Sequence, residues 1–118
     1  MINLVNALGA VIRTQMAELL MRLRKVGEAT CLSTEESTRL SEAVEQFRLA
    51  VVDSSELGLA PIVIGEGVPP VNREQMVSEL QEIAQELHEL VADQWVPEAA
   101  RKGLTRSLNT IQRLLQEI

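Results

Sequence analysis

The chain has 118 residues, 46% hydrophobic and 24% charged, with a formal net charge of −6. That length holds one core, the composition is neither that of a disordered acidic chain nor that of a membrane protein, and the negative balance argues against general affinity for nucleic acid or an anionic membrane. Phe47 and Trp95 are the only aromatic residues, so the core has to be aliphatic, which favours helices over sheet and leaves no platform for stacking bases.

Residues 1–118 read as a single helical domain, beginning with a helix over about 3–28. Val5, Leu8, Ile12, Met16, Leu19, Leu23 and Val26 recur at helical spacing, and Leu4, Val11, Leu20 and Met21 widen the apolar surface. Such girth requires more than one neighbour. Leu4, Val5, Leu8, Val11 and Ile12, in the uncharged start, are candidates for self-association as a homodimer; the competing reading is a buried central helix. Arg22, Arg24 and Lys25 suit the negative end of the helix dipole, and Gly27 is a terminator. The apolar run lacks a basic segment before it and a cleavage site after it, and Arg13 interrupts it, so neither a signal peptide nor a membrane span is expected. Cys31, the single cysteine, points to a reducing compartment and a cytoplasmic location. It reads as a buried apolar filler, because a nucleophile would need a base nearby and a lowered pKa.

Ser33 and Glu36 form a capping box that opens a second helix, 34–53, whose apolar face is Leu40, Ala43, Val44, Phe47, Ala50 and Val51. A short capped turn is expected from Asp53 to Leu59. Residues 60–71, APIVIGEGVPPV, hold three of the four prolines and the run Ile62-Val63-Ile64, which predicts an extended crossover. It reads as a strap with Ile62 and Ile64 inserted over the bundle, or as an edge that adds a strand to a partner.

The strongest signal is a third helix, 73–95. Met76, Leu80, Ile83, Leu87 and Leu90 form its seam, flanked by Val77, Ala84 and Val91, with Asn72 as N-cap and Gln75 as capping-box partner. Glu79, Glu82, Glu86, Glu89 and Asp93 form an acidic stripe, and no Lys or Arg occurs from Glu74 to Ala100. The stripe is either a solvated face partly balanced by neighbouring basic helices, or a docking surface for a basic partner. Trp95 beside it is either an interface anchor or a cap on the core. Pro97 starts a fourth helix, 98–117, with Leu104, Leu108, Ile111, Leu115 and Ile118 as its seam and Arg101, Lys102, Arg106 and Arg113 available to offset the stripe. Gly103 weakens that helix by about 1 kcal/mol relative to Ala.

The chemistry is sparse. The position three before His88 is Gln85, so the Glu-x-x-His of a di-iron bundle is missing. Ala92 stands where a zinc-protease helix needs its second histidine. No GxSxG, GK[ST] or DxDxDG element is present. His88 reads as a boundary residue on the flank of the apolar face. No catalytic residue, metal ligand or cofactor is assigned. The expectation is an all-α, antiparallel four-helix bundle with an extended Pro/Gly crossover between its second and third helices. Its expected function is that of a non-enzymatic, protein-binding regulator, adaptor or chaperone-like factor. A structural subunit of a larger assembly is the alternative, and a carboxylate or metal enzyme the third reading.

Overall fold

A computed structural model describes the backbone of residues 4–53 and 68–118, and side chains over 11–52 and 68–118. Its four helices are α1 (Leu4–Gly27), α2 (Thr34–Asp53), α3 (Arg73–Ala92) and α4 (Glu98–Glu117), packed as a bundle with no strand among the described residues. The all-α four-helix bundle expected from the sequence is the fold. The turn expected at 53–59 and the insertion of Ile62 and Ile64 fall wholly or mainly outside the described residues. Val68 and Val71, just before α3, are exposed.

Polar contacts fix the directions. Arg73, the first residue of α3, pairs with Glu36 in the first turn of α2, so both helices start at one end. Glu117, the last residue of α4, meets Arg39 of α2 at that same end. Arg13 of α1 donates to the Val51 carbonyl at 3.2 Å near the end of α2. Helices α1 and α4 therefore run one way, and α2 and α3 the other. The packed pairs are α1–α2, α2–α4, α4–α3 and α3–α1, all antiparallel, which places α1/α4 and α2/α3 on the diagonals. Since α2 ends opposite the end where α3 begins, the connection between them has to bridge about 30 Å of helix. Residues 54–71 can reach about 60 Å.

Local sequence explains where the elements start and stop. The Ser33 backbone N–H donates to Glu36 Oε1 at 2.9 Å and the Glu36 N–H donates to Ser33 Oγ at 3.1 Å, a complete capping box. At α3, Asn72 Oδ1 accepts from the Gln75 N–H at 2.8 Å, whereas Gln75 Oε1 reaches past Asn72 to accept from the Val71 N–H at 3.1 Å. Helix α3 ends three residues earlier than expected. Asp93 leaves helical geometry with ψ of 124°, and its side chain accepts from the Trp95 N–H at 2.9 Å, so a local turn competes with the last helical bonds. Pro97 caps α4 without a side-chain bond.

The core is aliphatic around one ring. Fully buried are Met16, Leu23 and Val26 of α1, Leu40 and Phe47 of α2, Met76, Leu80, Ile83 and Leu87 of α3, and Leu104, Ile111 and Leu114 of α4. The α3 seam is as expected. In α4 the buried position is Leu114; Leu115 is half-buried and Ile118 exposed. Cys31 is half-buried against the core rather than fully inside it.

Helices α2 and α4 pack most extensively, through small residues. Gly103 faces Ala50 so closely that an added Cβ would lie 2.8 Å from the Ala50 Cβ and 3.2 Å from the Gln46 carbonyl. One turn on, buried Ser107 donates to the Ala43 carbonyl at 2.8 Å, and Thr110 Oγ1 pairs with Gln46 Oε1 at 2.9 Å. Gly103 is thus an approach point between helices. The helix-propensity loss expected from the sequence is offset by the packing that it permits.

Two predictions test this arrangement. Gly103→Ala should destabilise the protein by about 1–3 kcal/mol in urea unfolding, because backbone atoms must shift. Gly27→Ala, where nothing lies within 4 Å of the added Cβ, should stabilise it by about 0.4–1 kcal/mol. The Glu36–Arg73 pair carries a pH signature. Bonds of 2.9 and 2.8 Å from the Arg73 guanidinium, then the Ser33 N–H, hold the Glu36 carboxyl at about 2 against an ordinary 4.5. Its contribution is complete above the ordinary carboxyl range and is lost as pH falls from about 4.5 towards 2, since the unfolded chain takes up a proton that the folded one resists. Glu36→Gln should flatten that acid limb of stability against pH, and an unchanged limb would contradict the assignment.

Candidate functional site: the acidic face between α1 and α3

Glu79, Glu82 and Glu86 lie on the side of α3 that meets α1, and all three converge on Arg22. Its Nε donates to Glu79 Oε1 at 2.8 Å and its Nη2 to Glu82 Oε2 at 3.1 Å, while Nη1 pairs with Glu86. Partial burial alone would lower the pKa of the guanidinium. Hydrogen bonding and charge attraction from Glu79, then Glu86, outweigh that cost and the net shift is upward. Arg22 and Glu79 are each about two-thirds shielded (34% and 33% exposed), whereas Glu82 and Glu86 face largely into water. Exposed pairs contribute about 0–1 kcal/mol each, so the cluster orients the two helices more than it stabilises them.

The cation that offsets the stripe therefore comes from α1. Among the described residues, no ion pair joins Arg101, Lys102, Arg106 or Arg113 to α3 carboxylates. Arg101 instead donates to the backbone carbonyls of Asp93 and Val96 at 2.9 and 3.2 Å, closing the α3–α4 connection. The other basic residues at the end of α1 turn elsewhere. Lys25 pairs with Glu28, and Arg24 lies close enough to Glu45 of α2 to help hold its carboxyl below the usual range, after Arg48.

Below Arg22, towards the C-terminal end of α3, a groove of about 280 Å³ separates the two helices. Glu18 and Gln15 of α1 and Glu86, Glu89 and Asp93 of α3 line it, over Leu19 and Leu90. Those two leucines are nearly closed to solvent. Glu89 accepts from Gln85 Nε2 at 3.4 Å, and His88 is exposed. Among the described residues, no group of three His, Cys, Asp or Glu side chains is placed to hold a metal ion, and no helix is long and apolar enough to cross a membrane.

Trp95 lies in the turn beyond α3, 42% exposed, beside Asp93 rather than on the helix. Val96, which the sequence reading passed over, closes the core there, at 3% exposed. Of the residues considered for self-association, Val11 is 54% exposed and Ile12 is in the core; the side chains of Leu4, Val5 and Leu8 lie outside the described residues. The sequence reading missed Leu49 and Val52 of α2, which are also exposed and stand towards the same end of the bundle as Val11. They differ from Phe47 and Ala50 only in helical phase, a signal that the heptad positions carry.

No known family, curated protein or solved structure matches this chain. Its function has to be argued from these surfaces. The different roles of Trp95 and Val96 give a direct check. Trp95→Ala should change stability by less than about 0.5 kcal/mol, whereas Val96→Ala should cost about 1–3 kcal/mol in chemical denaturation.

Proposed function

We propose that this chain is a non-enzymatic binding protein, a regulator, adaptor or chaperone-like factor that occupies the surface of a basic partner protein. The observation that carries the reading is the imbalance along α3. Glu82, Glu86 and Glu89 are exposed, Asp93 is half-buried, and one guanidinium, Arg22, serves three of the stripe's carboxylates. A rigid helix presenting carboxylates at successive turns suits lysine and arginine side chains, and the exposed ring of Trp95 supplies an apolar and cation-attracting contact beside them. Charge of this kind accelerates and selects encounters more than it tightens them. A cytoplasmic location belongs to the same proposal, on the strength of the single cysteine.

The second reading, a subunit of a larger assembly or a homodimer, rests on a different observation. Val11, Leu49 and Val52 are each about half exposed towards one end of the α1–α2 hairpin. Sedimentation of the purified chain tests the homodimer: a concentration-dependent dimer that Val11→Asp with Val52→Asp dissociates would support it, and a monomer at all concentrations would remove it.

For the leading reading, wild-type protein and a Glu82→Lys, Glu89→Lys variant should be used side by side to capture partners from the native cell. The variant leaves Glu79 and Glu86 to hold Arg22, and circular dichroism checks its fold. The expected result is a salt-sensitive partner with a basic surface, bound by wild type and lost from the variant. Equal capture by both would overturn the acidic-face reading.

A further inference from the structure

The four packed seams of the bundle are not equivalent. Along α2–α4, Gly103 sits against Ala50 and Ser107 donates to the Ala43 carbonyl, a dry interlock of small residues. The α1–α2 and α3–α4 seams each join consecutive helices, and each has an arginine tied to the carbonyls of its neighbour: Arg13 to Val51, and Arg101 to Asp93 and Val96. Among the described residues, the α1–α3 seam has neither a short connection nor an interlock of small residues. Its charges are unbalanced: Glu79, Glu82, Glu86, Glu89 and Asp93 from the α3 side and Glu18 from α1 face or flank it, and Arg22 is the cation there among the described residues. A groove of about 280 Å³ already separates the two helices over its lower half.

We propose that the bundle opens along α1–α3 as a separate step short of unfolding, with Arg22 as the latch and the α2–α4 seam as the hinge that stays closed. Opening moves α1 away from α3 and uncovers Leu19 and Leu90, the buried floor of the groove. The latch works because one guanidinium holds Glu79, Glu82 and Glu86 together. Without it Glu18 of α1 faces Glu86, Glu89 and Asp93 of α3 with no cation at the seam among the described residues, and like charges repel. Opening is local because the α2–α4 contacts at Gly103 and Ser107 are uncharged and close-packed, and the Arg39–Glu117 and Arg73–Glu36 pairs tie the hairpins together at one end of the bundle.

Native-state hydrogen exchange of the full chain reads the seam, since a helix that loses a packed face frays, and its amides then exchange faster and with less urea dependence than those freed by global unfolding. Amides of 16–23 in α1 should exchange at least about tenfold faster than those of 100–111 in α4, with a shallow response to low urea. Arg22→Gln should raise the α1 rates by about a further tenfold, the effect of three weakened ion pairs together. Glu18→Gln with Glu89→Gln, which removes repulsion and leaves the latch intact, should slow them by about two- to threefold. That second variant decides the matter if Arg22→Gln fails to fold. Exchange of α1 and α4 at one rate with one urea dependence would overturn the separate opening. Unchanged α1 rates in Arg22→Gln, or unchanged or faster rates in the Glu18/Glu89 variant, would overturn the latch.

Discussion

Gly103 meets Ala50 at a distance that leaves no room for a methyl group, and the rest of the bundle is arranged around that approach. Helices α1 and α2 form one hairpin, and α3 and α4 the other. Something other than chain connectivity must hold the hairpins together. The α2–α4 seam does so by dispersion between close-packed surfaces, reinforced by the buried bond from Ser107 to the Ala43 carbonyl. With that seam fixed, α1 and α3 take the outer positions and meet one another across the remaining side.

The outer meeting is built from different forces. On the core side it is apolar, with Met16, Leu19 and Leu23 facing inward from α1 and Ile83, Leu87 and Leu90 from α3. On the solvent side it is a ring of carboxylates around Arg22. A seam held by apolar burial within and by one cation without responds to charge and salt more than the α2–α4 seam, which is uncharged at Gly103 and Ser107 and carries the Arg39–Glu117 pair at one end. The acidic face proposed as a docking surface is therefore also part of an internal contact, through Glu82 and Glu86.

Much of this was legible in the sequence, for physical reasons that differ by element. The α3 seam follows from strict helical spacing of bulky apolar residues, and Met76, Leu80, Ile83, Leu87 and Leu90 are all buried. The Ser33–Glu36 box is a local motif whose bonds depend on nothing distant. In α4 the reading slipped at the end, because steps of three and four from Ile111 both reach a leucine, and only tertiary packing selects Leu114 over Leu115. Helix α3 ended early because the Asp93 side chain competes with the helix for backbone N–H groups, while Pro97 is the louder stop signal. The acidic stripe was visible, but its partner was not. Arg22 lies 57 residues from Glu79, and no local pattern distinguishes it from Arg24, one of whose neighbours is Glu45 on another helix. Likewise the sequence marked Gly103 as a weak point in a helix, when it is where two helices come closest.

The hairpins are joined by the α2–α4 approach, and a double-mutant cycle between Gly103 and Ala50 tests it most directly. Gly103→Ala and Ala50→Gly should each destabilise the protein alone. Combined they should cost less than their sum by about 1 kcal/mol or more, because removing the Ala50 methyl vacates the space that the new methyl needs. Strict additivity of the two changes, within about 0.3–0.5 kcal/mol, would show that these residues do not meet and would contradict the arrangement of the hairpins described above.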